Sequence, residues 1–254
     1  LFSSLLSAFI SLLFLRSYFE ITFNIEPLAK LLKFSIPLIP SSILVILSLY
    51  IDRFFINYFL GIESVGVYSI AIKVASVSSL LIIGFQMALT PLIYKHYKSP
   101  ETPRDLSLIF KYFSIFALIF FMAFSIFSNN ILILLTSPSF YGASEIIPGL
   151  VLAFFFSQMY VFMPGILIVK KTYLVLFINI AITTLNIIFN IILIPGYELF
   201  GAAASKAISY FIGFLFFIFF SQKYYFVEHD WRKLVINLFL SLLLVLIYFN
   251  YFQY

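Results

Sequence analysis

The chain has no cysteine, two histidines, one tryptophan, nine glycines and only 10% charged residues over 254 positions. Without cysteine there are no disulfides, thiolate metal sites or cysteine nucleophiles. The two histidines, His96 and His229, sit among Lys, Tyr and Glu in short gaps and read as solvated loop residues. Glu228, His229 and Asp230 read as a charged loop, not a metal cluster, and no nucleophile–base spacing or Gly-rich phosphate loop occurs. No metal or cofactor is expected. No basic tract exceeds two residues, so the net charge of +5 does not mark a nucleic-acid-binding face. Soluble domains carry about a quarter charged residues, so the low charge also excludes a water-soluble globule.

What the chain does have is apolar length. Hydrophobic residues make up 63%. Eight runs are long enough to cross a ~30 Å hydrocarbon core, at roughly 1–19, 34–60, 64–92, 109–128, 146–168, 173–194, 201–221 and 234–252. They are dense and do not alternate, so they read as helices and not as barrel strands. The fold class is an all-α polytopic membrane bundle of about eight helices. Leu1 opens directly inside an apolar run, so the sequence is expected to be a piece of a longer protein.

Twelve of the fifteen Lys and Arg residues fall in every second gap: Arg16, Lys30, Lys33; Lys95, Lys98, Arg104, Lys111; Lys170, Lys171; Lys223, Arg232, Lys233. The positive-inside rule then places 20–33, 93–108, 169–172 and 222–233 in the cytoplasm. The gaps near 61–63, 129–145 and 195–200 hold Glu63, Glu145 and Glu198 and no base, and face outward. Pro37, Pro40 and Pro91 lie inside expected helices, as packing kinks or as hinges.

The remaining cations, Arg53, Lys73 and Lys206, lie within apolar runs together with Asp52. Each intramembrane charge costs ~2.5–3.5 kcal/mol on an insertion scale, so four need a reason. Counting from the turns, Asp52, Arg53 and Lys73 lie ~14–16 Å deep and Lys206 about 12 Å deep. Three helices thus place charge at one level. Asp52 and Lys73 are level in one hairpin and could neutralise each other. Even so two cations remain, and Arg53 stays charged in poor solvent, which favours an anionic ligand. Asn179, Thr183, Asn186 and Asn190 form a polar stripe, open to two readings: cavity lining or interhelical hydrogen bonds. Gly201, Ser205, Ser209 and Gly213 form a small-residue seam for close helix packing. Ser69, Lys73 and Ser76 share one helix face.

The run Phe34-Ser-Ile-Pro-Leu-Ile-Pro40, then Tyr50-Ile-Asp-Arg-Phe-Phe-Ile56, Phe59-Leu-Gly61 and Val65-Gly-Val-Tyr-Ser69, resembles polysaccharide flippases of the O-antigen (Wzx-like) type. Ile194-Pro-Gly196 with Phe200-Gly-Ala-Ala-Ala204 does so too. These flippases belong to the multidrug/oligosaccharidyl-lipid/polysaccharide exporter superfamily. The resemblance covers about residues 30–220 and implies two six-helix lobes around a central cavity. On that scheme 1–19 is the last helix of an N-terminal lobe missing here, and 20–33 a cytoplasmic linker. The C-terminal transporter lobe is 34–221, and 234–254 is an additional helix.

The resemblance also implies a non-enzymatic role: moving an undecaprenyl-diphosphate-linked oligosaccharide between leaflets of a bacterial cytoplasmic membrane for O-antigen or lipopolysaccharide assembly. Arg53 and Lys73 match the family's cavity cations, implied to hold the diphosphate; Lys206 is added from depth alone. The implied partners are the lipid-linked oligosaccharide, membrane lipid, the missing lobe and polysaccharide assembly enzymes. Rival expectations are a peptidoglycan-precursor flippase, and a drug or cation antiporter, which would want more intramembrane carboxylates than Asp52. A membrane polymerase or ligase would want a larger outer loop carrying catalytic residues.

Overall fold

The computed structural model of the chain describes residues 2–15 and 25–252. Among these residues ten α-helices follow in order: α1 (Phe2–Leu15), α2 (Ile25–Ser35), α3 (Leu38–Leu60), α4 (Ile62–His96), α5 (Thr102–Ile126), α6 (Ser128–Leu135), α7 (Ile147–Gln158), α8 (Gly165–Ile168), α9 (Thr172–Gln222) and α10 (Trp231–Phe252). Short 3-10 turns occupy Pro138–Glu145 and Met159–Phe162, and there is no strand among the described residues. Arg16 and the first part of the expected linker, 20–24, lie outside the described residues.

Among the described residues five stretches are long and apolar enough to cross a membrane, or six if Pro138–Glu145 and Ile147–Phe162, bent by 56°, count as one. The longest, α9, would extend ~77 Å if straight, over twice the hydrocarbon core. It folds back instead at Glu198, whose φ of 51° and ψ of −132° are not helical. A Cβ on Gly201 would lie 2.3 Å from the Leu193 carbonyl oxygen, and one on Gly213 would lie 2.3 Å from Ile182. The arms 172–197 and 199–222 are therefore antiparallel and in tight contact, as the small-residue seam predicts. They correspond to the spans expected at 173–194 and 201–221.

Two segments differ from expectation. The gap expected up to residue 33 is helical over Ile25–Ser35 and breaks from α3 at Pro37. α2 buries no residue and carries a surface Lys30–Glu26 pair at 2.7 Å. The span expected at 146–168 is broken after α7. Pro164 has no N–H to continue a helical ladder, and Met163 takes φ −119°, ψ 65° before α8 begins. Pro91 by contrast sits inside a continuous α4, and Pro195 inside α9.

The core centres on α7, where Ile147, Leu150 and Val151 are fully buried against α4, α5 and α9. Most of the outer surface is large and apolar, including Phe14, Met87, Leu134 and Phe219, as lipid-facing helices require. The cation-bearing segments gather at one end of the bundle. The Thr172 hydroxyl donates to the Phe34 carbonyl at 2.7 Å, the Ser107 hydroxyl donates to the Glu228 carbonyl, and the Lys171 ammonium lies 4.2 Å from the centre of the Tyr224 ring. Segments without Lys or Arg gather at the other end, where Phe140 lies beside Gly66 and Ala203 beside Gly149.

His96 is exposed, but the expectation of a solvated His229 is overturned. His229 is only 7% exposed, with ring centroids 4.4 Å from Phe110 and 5.1 Å from Trp231. Burial pulls its pKa from 6.5 down to about 4, so the ring is neutral at pH 7. Its charged sequence neighbours conceal a contact made by rings from α5 and α10.

Candidate functional site

Three helix faces meet at the level of the intramembrane charges. On α3 the buried positions are Ser41, Ser48, Asp52 and Ile56, seven, four and four residues apart along one face. On the first arm of α9 they include Thr183, Asn186 and Asn190, and on the second Ser205, Lys206 and Ser209. α3 and the first arm run parallel in a constant register. Thr172 bonds Phe34, Asn179 bonds Ser41 and Asn190 bonds Asp52, each across a sequence offset of 138. That register requires both helices to run the same way through the bilayer, as the charge pattern predicts.

The polar stripe of α9 is thus turned to α3. The Asn179 amide donates to the Ser41 hydroxyl at 2.6 Å. The Thr183 and Ser48 hydroxyls share a hydrogen bond of 2.8 Å. The Asn190 amide donates to Asp52 Oδ1 at 2.9 Å. Of the two readings of the stripe, interhelical bonding holds for these three residues. Asn186 is 2% exposed, and neither its Nδ2 nor its Oδ1 has a partner.

Asp52, 0% exposed, is the hub. Its Oδ2 accepts the Tyr68 hydroxyl at 2.8 Å and pairs with the Lys206 ammonium. Lys206, 1% exposed, also donates to the Ser48 carbonyl at 2.8 Å. The Asp52–Lys73 pair that their equal depth allows is not formed; Asp52 pairs with Lys206 instead. Equal depth does not fix direction around a helix. Tyr68 is the α4 residue that reaches Asp52, and Lys73, five positions on, points about 140° away. The Lys73 side chain is exposed and makes no ion pair among the described residues. Lys206, expected as a cavity cation, is enclosed by its pair in this conformation.

Arg53 lies about 100° around α3 from Asp52. It is half-buried, with its guanidinium 5.1 Å from the centre of the Tyr50 ring and Nε buried without a hydrogen-bond partner. It shares its face with exposed Ile39, Ile43, Ile46 and Tyr50, which nothing among the described residues covers. Ser41, Ser48 and Tyr68 were not singled out from the sequence. Ser41 and Ser48 were legible as the helical continuation of Asp52. Tyr68 was legible as one end of the Tyr68, Ala71, Ala75 and Ile82 stripe.

No group of His, Cys, Asp or Glu suited to hold a metal occurs among the described residues. Residues 1–96 match the sequence model of a family described as "Polysaccharide biosynthesis protein". No curated protein and no solved structure matches the chain. The matched stretch includes Asp52, Arg53, Tyr68 and Lys73, whereas Lys206 and the α9 stripe lie beyond it. The chain is a multi-pass membrane protein, all-helical among the described residues, whose first 96 residues are similar to polysaccharide biosynthesis proteins.

Proposed function

We propose that this chain forms part of a flippase-type transporter for a lipid-diphosphate-linked oligosaccharide destined for cell-surface polysaccharide. The observation that carries this reading is the state of Arg53. The one carboxylate at its level, Asp52, is taken by Lys206, Tyr68 and Asn190. Arg53 carries a guanidinium, the most persistent cation among side chains. It therefore keeps an uncompensated positive charge at mid-membrane depth, on a face open to a second body. A diphosphate crossing the apolar core needs such a group, and Lys73 adds a second. The family match over 1–96 supports the same class.

The mechanism needs no bond chemistry, so the protein acts as a transporter and not as an enzyme. The lobe 34–221 rocks against a second lobe. Arg53 and Lys73 screen the diphosphate, and the lipid tail stays in the bilayer. The basic end of the bundle faces the cytoplasm and loads the cargo there. Lys206 does not hold cargo on this reading: its pair with Asp52 fixes α9 to α3. A cation antiporter is the weaker reading, because the one carboxylate it would use is already occupied.

The test is complementation of a flippase-null cell by the full-length protein carrying Arg53→Ala. The expected outcome is loss of surface polysaccharide at normal membrane protein level, with lipid-linked precursor accumulating. Normal surface polysaccharide from the variant would remove Arg53 from the site. Failure of wild type to complement would reopen the antiporter and enzyme readings.

A further inference from the structure

A recess lies far from Arg53, between α5 and α10 at the basic end of the bundle. It is an open groove of about 990 Å³. Its mouth carries both signs of charge: Arg104 and Lys111 against Glu101, Asp105 and Glu228. Lys233 is not available, because Asp230 holds it at 2.6 Å. None of the five mouth residues makes an ion pair among the described residues.

Deeper in, the groove continues through Ser114, Leu118 and Leu234 into a narrow cleft walled by Phe121, Phe155 and Met159. Apart from Ser114 that cleft is apolar. Ser114 is 6% exposed and its Oγ has no hydrogen-bond partner. A helical serine ordinarily bonds back to the carbonyl one turn earlier, and this one does not. A buried hydroxyl without a partner is costly, so it awaits an acceptor in the groove.

From Arg104 to Ser114 is ~15 Å along α5, about half the thickness of a hydrocarbon core. The order along the groove is therefore charged mouth, lone hydroxyl, apolar cleft, spread over one leaflet. A phospholipid has the same order: headgroup, ester carbonyls, acyl chain.

We propose that the α5–α10 groove binds one phospholipid with a zwitterionic, amine-bearing headgroup. The phosphate meets Arg104 and Lys111, and the ammonium meets Glu101 and Glu228. Ser114 donates to an ester carbonyl, and the acyl chain lies along Leu118 and Phe121. The mouth selects against an anionic headgroup. Two free cations face three carboxylates there, so a lipid with no ammonium leaves the carboxylates unanswered. The bound lipid fills the gap between α10 and the rest of the bundle and thereby ties α10 to α5. This site is separate from the cations assigned to cargo, and it stands or falls independently of them.

The test uses full-length protein in mild detergent, with retained lipid measured by native mass spectrometry and extraction. Thermal stability is then followed on adding phosphatidylethanolamine or phosphatidylglycerol. The variants are Glu101→Lys, an exposed change at the mouth, and Leu118→Trp, which fills the cleft. Wild type should retain about one phosphatidylethanolamine per chain and gain stability from it over phosphatidylglycerol. Each variant should lower retention by at least about fivefold. If Leu118→Trp does not fold, Glu101→Lys alone decides. Equal binding of both phospholipids, retention of a prenyl-linked lipid in their place, no retained lipid, or full retention by Glu101→Lys would each overturn the proposal.

Discussion

The α3–α9 contact and the α5–α10 contact solve opposite problems. The first brings a carboxylate and an ammonium to full burial at membrane depth and answers them with Tyr68, Asn190 and the Ser48 carbonyl. The second holds α10 by ring packing of Phe110, His229 and Trp231 and leaves a charged groove open beside it. Buried charge fixes register, because a slip of one residue would strand Asp52 and Lys206 without partners. Ring packing fixes proximity with little register. The α3–α9 seam is thus the rigid part of the bundle, and α10 is the part whose attachment can vary.

Breaking the ion pair should give the largest effect. Lys206→Met leaves the buried Asp52 carboxyl without its cation, and should cost about 3–5 kcal/mol. The readout is a lower melting temperature of the purified protein and a lower membrane level. Asp52→Asn with Lys206→Met removes both charges, and should recover most of that loss while the polysaccharide-export phenotype of Arg53→Ala persists. If the double variant is no better than the single, the pair does not act as a unit and the comparison fails on its rigid side.

The α10 attachment should instead be sensitive to acid. The unfolded His229 binds its proton near pH 6.5 and the folded one near 4. Between those values the unfolded state carries more protons, so stability is complete above pH 6.5 and falls as pH drops toward 4. Allowing for partial solvent access, the loss by pH 4.5 is about 2 kcal/mol. Hydrogen exchange should show α10 and residues 223–230 opening first, with α3 and α9 still protected. His229→Phe should abolish that acid response. Uniform opening of both regions would show that α10 is as firmly held as the seam.

The two regions were not equally legible in the sequence. The seam was readable in outline because its signals are periodic and local: Asn179, Thr183 and Asn190 on one arm, Gly201 and Gly213 on the other, and charges at one counted depth. Depth alone did not choose between Lys73 and Lys206 for Asp52. That choice depends on angle around α4, which the buried Tyr68–Ala71–Ala75 stripe sets. At α10 the helix was legible as the apolar span 234–252, but how it attaches was not. His229 sits between Glu228 and Asp230, and its burial comes from Phe110, far away in sequence. The break after α7 had a local signal in Pro164, masked by the apolar run around it. The groove has no sequence signal, since it forms only when residues 226–237 dock on α5.

Relief of strain at the reversal in α9 should give the smallest effect. Lys206 meets Asp52 only because the second arm returns at a fixed height, and Glu198 sets that height with a positive φ of 51°. An L-residue with a side chain pays for this conformation in steric strain, which glycine escapes. Glycine also has more freedom to lose from the unfolded chain, which offsets part of the gain. Glu198→Gly should therefore stabilise by only about 0.5–1 kcal/mol, raising the melting temperature slightly. The gain should persist in the Asp52→Asn, Lys206→Met background, because strain at the turn and pairing at the seam are physically separate. A gain that vanishes there would mean that the turn is held in its strained form by the ion pair itself. The seam would then dictate the turn, and not the turn the seam.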